Sequence, residues 1–289
     1  MPAELIANVA LQGILTGLVY GLMALGLSVI FGVVRVVNFA HGEMMTIASY
    51  AAIVAFGAWN IDPLVAMVPI AVILFALGYV MQAVLINPFV NRPEHSQFIL
   101  LAAVAIIMVN ALLMVFGPDA RSVLVDYSLD SVEIGPLLVD KVRVITAVLA
   151  LAIAAGLFAF FRLTRTGRAI RACADNYLGA LVVGLNVRRL YALTFGIGSA
   201  CVGAAGAMMV LLIDTTPSIG PAFTLQAFVI VIVGGLGSMP GALLGGILIG
   251  LSEAMSGLFF APSAKSMFAV ALLILVLLFR PQGLLGRKA

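Results

Sequence analysis

The feature that most constrains this chain is a succession of apolar stretches, most of them long enough to cross a lipid bilayer as a helix, with almost no charge inside them. They cover residues 5–34, 40–56, 64–86, 98–116, 144–161, 191–213, 223–233, 242–260 and 267–279. About twenty apolar helical residues cross roughly 30 Å of hydrocarbon. The spacing lacks the short alternating strands of an outer-membrane barrel, so helices are expected. A water-soluble domain carries roughly a quarter charged residues. Here 9% are charged and 64% hydrophobic, with a mean hydropathy of +1.23. The expected fold is all-α: one polytopic bundle of eight or nine membrane segments, some broken, over residues 1–289.

The loops orient the bundle. The opening MPAELIANVALQG holds Glu4 and no basic residue; a secretory signal needs a basic start, so insertion through the first span without cleavage is expected. Residues 162–190 carry Arg162, Arg165, Arg168, Arg171, Arg188 and Arg189 against one acid, Asp175, and the tail adds Arg280, Arg287 and Lys288. By the positive-inside rule both face the cytoplasm. Residues 117–141 hold only Arg121 and Lys141 as basic groups, so they belong outside. With charge partitioned this way, the formal +3 is no sign of nucleic-acid binding.

Several chemistries are missing. There is no GxxxxGK[ST] phosphate loop and no HExxH, and His41 and His95 are the only histidines. Cys173 and Cys201 lie far apart, without metal spacing, and read as free thiols. No metal or cofactor is expected in this chain, and nothing supports a membrane enzyme.

Two places interrupt the apolar pattern. Residues 223–233 run between Pro221 and GGLGSMPG, and eleven helical residues reach only about 17 Å. The helix before NFAHG is likewise expected to stop early. Interrupted helices at corresponding places in two halves point to a transporter's central path, although similarity between the halves is weak. In RVVNFAHGEM, Asn38, His41, Gly42 and Glu43 admit two readings. They form a solvated cytoplasmic turn, or they start a helix buried beside the path. In the second case Gly42 permits close approach, Asn38 caps the helix and Glu43 suits its dipole. The apolar flank favours the second. Gly235 and Gly237, with Pro240, break a helix, whereas Gly241/Gly245 and Gly246/Gly250 are small-xxx-small packing pairs. Glu253, inside an apolar helix, needs a partner: an interhelical hydrogen bond or a substrate.

In RLTRTGRAIRACADNYLGALVVGLNVRRL, Arg168, Arg171 and Asp175 share one face of a short helix that Gly184 ends. Such a helix lies on lipid headgroups or docks into a groove on a soluble partner.

Four blocks, VNFAHGEMMTIASY, GRAIRACADNYLGALVVGLNVRRLYALTF, GGLGSMPGALLGG and FRPQGLLG, occur in an order that resembles the branched-chain amino acid permeases of ABC importers, the shorter LivH-type subunit. The resemblance extends over nearly the whole chain. It implies a multi-pass subunit of the bacterial inner membrane that forms half of a translocation path. It implies a second related permease, two ATPase subunits that bind ATP-Mg and a periplasmic substrate-binding protein. It also implies that residues 162–190 couple this subunit to the ATPase. Relatives carry leucine-like amino acids, urea, short amides or aromatic acids, and a path with little fixed charge suits small neutral or zwitterionic solutes. Two rivals remain: an ion-coupled secondary transporter, for which only Glu43 and Glu253 offer carboxylates, and a non-transporting structural subunit.

Overall fold

A computed structural model describes residues 3–90, 92–135, 137–260 and 265–286; Arg287 and Lys288 lie outside them. Its helices are α1 Ala3–Val34, α2 His41–Trp59, α3 Pro63–Val80 with a π-helical continuation Met81–Ile86, α4 Glu94–Phe116, α5 Lys141–Leu163, α6 Arg165–Asp175, α7 Tyr177–Val182, α8 Val187–Met209, α9 Gly220–Gly234, α10 Met239–Phe259 and α11 Lys265–Phe279. Among the described residues, six helical segments are long and apolar enough to cross a membrane. With α2, α9 and α11 they give the all-α polytopic bundle expected from sequence.

The bundle is organised around α1 and α8. In each, 83% of the most apolar stretch is buried, against 33% in α3, α5 and α10 and 17% in α4. Small residues explain this. Gly13, Gly17 and Gly21 form a stripe on α1, and Gly246 and Gly250 of α10 lie on it. A side chain at Gly250 would begin 2.5 Å from the Gly13 carbonyl oxygen and from the Gly17 Cα. Lipid tails are as apolar as Leu, so close backbone approach supplies the association that hydrophobicity cannot. On α8, Gly206 lets α2 close enough for Ser49 Oγ to donate to its carbonyl at 2.8 Å.

α1 and α10 run antiparallel, which puts the start of α1 at the end opposite the arginine-rich segment. At that opposite end Arg121 and Thr215 exchange two backbone hydrogen bonds of 2.9 and 2.8 Å. A hairpin, β1 Ser131–Ile134 with β2 Leu137–Asp140, lies in the same loop. Asp62 caps α3 by accepting from the Leu64 N–H at 2.8 Å and also accepts from the Tyr127 hydroxyl at 2.8 Å. Burial, then the hydrogen bond and charge of Asp62, push the Tyr127 phenol above its ordinary value of 10.0. A group raised in the folded state contributes stability below its unfolded value and loses it only as pH rises through the folded one. The link therefore holds throughout the neutral range. Tyr127→Phe should lower stability by about 1 kcal/mol, read as a lower unfolding midpoint that is the same at pH 6 and pH 8.

Four expectations need correction. α1 does not stop early: it runs 32 residues, and the interruption is a reversal after it. Arg35 makes that turn at φ +57, a left-handed conformation costly for a residue with a Cβ. α9 begins at Gly220 and has 15 residues, about 22 Å, because Pro221 sits in the first turn, where a missing N–H costs nothing. α8 ends at Met209, and Leu211 and Leu212 turn back to the carbonyls of Met208 and Met209. The single helix expected after Arg165 is two. Asn176 is extended at φ −147 and ψ 99, and its Oδ1 accepts from the Gly179 N–H at 2.8 Å, ending α6 and capping α7. Gly184, at φ +79, closes α7 rather than α6, with the Leu185 N–H reaching the Ala180 carbonyl.

Candidate translocation site

The stretch 35–43 folds back into the protein. His41 Nε2 lies 3.0 Å from the Met23 carbonyl oxygen. Met23 is eleven residues before the end of α1, about 16 Å along its axis. α2 therefore starts beside the interior of α1. Asn38 and His41 are 0% exposed and Glu43 2%, so a solvated turn does not describe them. A carbonyl only accepts, so Nε2 carries the proton, while Nδ1 has no partner among the described residues.

The local capping differs from expectation. Asn38 Oδ1 accepts from the Ala40 N–H at 3.0 Å, a turn before the helix rather than a cap on it. Ala40, the residue at the cap position, offers no side-chain bond. The cap comes from another helix: Thr224 Oγ1 of α9 accepts from the Gly42 N–H at 2.8 Å and donates to Glu43 Oε2 at 3.1 Å. Gly42 is the reason this is possible. A side chain there would collide with the Gly220 carbonyl and begin 2.5 Å from the Thr224 nitrogen. In return Gly220 packs on the backbone of Glu43. Glu43 thus sits in the first turn of α2 and against the start of α9, where the dipoles of both helices favour negative charge.

α9 carries only two polar side chains, and each meets a buried or half-buried carboxylate. Thr224 takes Glu43, and Gln226 Nε2 donates to Glu253 Oε1 of α10 at 2.9 Å. Glu253 is therefore part of an interhelical contact within the subunit.

At its other end α9 runs into the glycine break. Gly235 at φ +106 and Gly237 at φ +77 turn the chain into α10. The last carbonyls of α9 are taken by the tail: Leu284 N–H bonds the Val233 oxygen and Leu285 N–H the Gly234 oxygen, both at 2.9 Å. Gly241 and Gly245 pack on α9, and Gly246 and Gly250 on α1.

A cleft of about 1310 Å³ opens at this end, with Arg35, Arg168, Arg171, Asp175 and Gly237 in its wall. Phe39 lines the cleft, edge-on to Phe98 at 4.5 Å and tilted against Phe228 at 5.4 Å. Gly184 is not brought to the cleft, and a side chain there would meet nothing within 4 Å. Cys173, on the inner face of α6, is free, and burial raises its thiol above the ordinary range.

Sequence reasoning missed Thr224, Gln226 and Phe39. The first two carried a readable signal, being polar inside an otherwise apolar helix; Phe39 carried none. It also missed Val182 and Val183, which with Leu178 form an apolar tip on α7 at 70–86% exposure.

Interrupted helices meeting around buried polar groups inside an apolar bundle, with a basic helical segment at one end, define a membrane transport permease. The chain belongs to the family described as branched-chain amino acid transport system / permease component, whose model matches residues 9–277. It is 31% identical to the high-affinity branched-chain amino acid transport system permease protein BraD of Pseudomonas aeruginosa, over 96% of this chain and 94% of that protein. It is 34% identical to the permease protein LivH of Escherichia coli, again over 96% and 94%. The permease protein LivM of Escherichia coli also matches, at 32% over 50% of this chain and 35% of its own length.

Proposed function

We propose that this subunit forms one half of the translocation path of an ATP-driven importer of branched-chain amino acids in the bacterial inner membrane. The path runs past the junction of α2 and α9, and ATP hydrolysis takes place on separate subunits. The observation that carries the reading is that junction: two helices begin inside the bundle, from segments entering at opposite ends, and share Thr224 as their link. A junction of two interrupted helices is an element that can shift between two arrangements as the subunits around it rock. Its surroundings, Met23, Met44, Phe39 and Phe228, suit a small zwitterion with an apolar side chain. A periplasmic binding protein delivers the solute, and a second permease completes the path. Leucine uptake by the reconstituted assembly should require ATP and the binding protein. Uptake driven by an ion gradient alone, or of urea or a short amide in place of leucine, would overturn the reading.

Coupling to the ATPase is assigned to α6 and α7. Arg168, Arg171 and Asp175 face the cleft, while Leu178, Val182 and Val183 project from the cytoplasmic end, where water would otherwise cover an apolar patch. Val182→Glu combined with Leu178→Glu should cut ATPase co-purification at least tenfold, an order-of-magnitude expectation for charge placed in a buried contact. The variant itself should stay monodisperse, because neither side chain supports its fold. Wild-type co-purification and substrate-stimulated hydrolysis would remove the assignment.

A further inference from the structure

α4 is the least supported of the long helices. Only 17% of its most apolar stretch is buried in the subunit; it packs chiefly on α2, and Leu101, Ala105 and Leu112 are its buried residues. Lipid can cover an apolar helix, so exposure alone identifies nothing. The exception is Asn110. It is exposed and lies six residues before the end of α4 at Phe116, about 9 Å along the axis and inside the hydrocarbon. One of its amide hydrogens is donated to the Ile106 carbonyl at 2.8 Å. Its Oδ1 and second N–H find no partner among the described residues. In hydrocarbon neither can bond to solvent, so this face is costly unless another protein supplies the partner.

The neighbours of Asn110 form a seam. Ile99, Ala103, Ile106 and Asn110 are all exposed and follow one another at spacings of four, three and four. That is the period of two helices wound around each other, with Asn110 at a position where a single buried amide fixes register and partner. Ala103 within the seam and Ala111 beside it are small side chains that allow close approach.

We infer that the outward face of α4, centred on Asn110, is the surface on which a membrane helix of the second permease subunit packs, with a hydrogen-bonding side chain set opposite Asn110. The inference rests on the importer reading, since it needs a second permease. Two different permease proteins of Escherichia coli, LivH and LivM, both match this chain. Paired related subunits present related surfaces across a twofold or near-twofold axis, which suits a seam built around one amide.

A photo-reactive benzoylphenylalanine placed at Ile106 or Asn110 in the membrane-embedded transporter should cross-link to the second permease. The same probe at Val72, exposed on α3, should not. Capture of lipid only, of a second copy of this chain or of the ATPase from both α4 positions overturns the inference. If the second permease co-purifies yet is never captured from α4, the face is wrong and the importer reading stands. If it does not co-purify at all, both fall. Asn110→Leu should lower the second permease retained per subunit about fivefold, the scale of one interhelical hydrogen bond in a membrane. The isolated subunit's unfolding midpoint should not change, because Asn110 bonds only its own helix. A lower midpoint with unchanged pairing would reduce Asn110 to an internal role.

Discussion

Gly42→Ala should abolish uptake and lower the unfolding midpoint of the subunit, although the side chain added is a single methyl group. That methyl would collide with the Gly220 carbonyl oxygen and press on the Thr224 backbone, so the first turns of α2 and α9 must separate. Overpacking costs typically about 1–3 kcal/mol. Separation also breaks the bond from the Gly42 N–H to Thr224 and the bond from Thr224 to Glu43. A buried polar group that loses its partner costs about 1–3 kcal/mol, and more when charged. Together these reach several kcal/mol in a protein whose margin is roughly 5–15. Gly57, in the same helix, provides the comparison, since a side chain there meets nothing within 4 Å. Gly57→Ala should leave uptake and midpoint unchanged. Equal behaviour of the two variants, measured by leucine uptake in vesicles and by thermal unfolding in detergent, would mean that the α2–α9 junction is not tight.

The contrast between these two glycines shows how much the sequence can disclose. Apolar runs mark every membrane segment because lipid admits only helices with satisfied backbones, and that constraint is local. Arginine clustering sets an expected sidedness, which is likewise read from each loop by itself. The position of the α9–α10 break was legible because Gly235, Gly237 and Pro240 act on their own backbone. Whether Gly42 meets open space or another helix is not a local property. Gly42 and Thr224 are separated by 182 positions, and no spacing rule connects them. The cap that Asn38 was expected to supply illustrates the same limit. A capping residue nearby is the ordinary solution, yet a tertiary contact provides it here. The helix division at Asn176 was readable, because Asn is a common cap, but the regular placement of Arg168, Arg171 and Asp175 suggested continuity. The pairs Gly241/Gly245 and Gly246/Gly250 were legible as packing faces, but nothing in their spacing names Gly13, Gly17 and Gly21 of α1 as the partner of the second pair.

Gly235→Val is expected to have the second large effect, through the C-terminal tail. Gly235 holds φ at +106, where a β-branched residue is strained by about 1–3 kcal/mol. Its missing side chain also makes room for the tail, since a Cβ there would collide with Gly286 and begin 3.0 Å from the Leu285 carbonyl carbon. The variant should release the tail and leave the Val233 and Gly234 carbonyls of α9 without the N–H groups of Leu284 and Leu285. These carbonyls lie at the end of the bundle where the cleft opens beside Arg168 and Arg171, so water can replace part of the loss and the subunit should still fold and bind its ATPase. Uptake should nevertheless fall by about tenfold or more, equivalent to about 1.4 kcal/mol. The reason is mechanical: α9 presents Thr224 to Glu43 at one end and is fixed by the tail at the other, so a frayed end lets the helix shift along its axis. Truncation after Pro281 separates strain from anchoring, because it removes Leu284 and Leu285 while Gly235 stays in place. If anchoring matters, the truncated subunit shows the same loss of uptake with ATPase binding retained, and its released segment leaves Gly237→Cys more reactive to a cytoplasmic thiol reagent. Normal uptake after truncation would assign the whole effect of Gly235→Val to local strain and leave the tail without a part in transport.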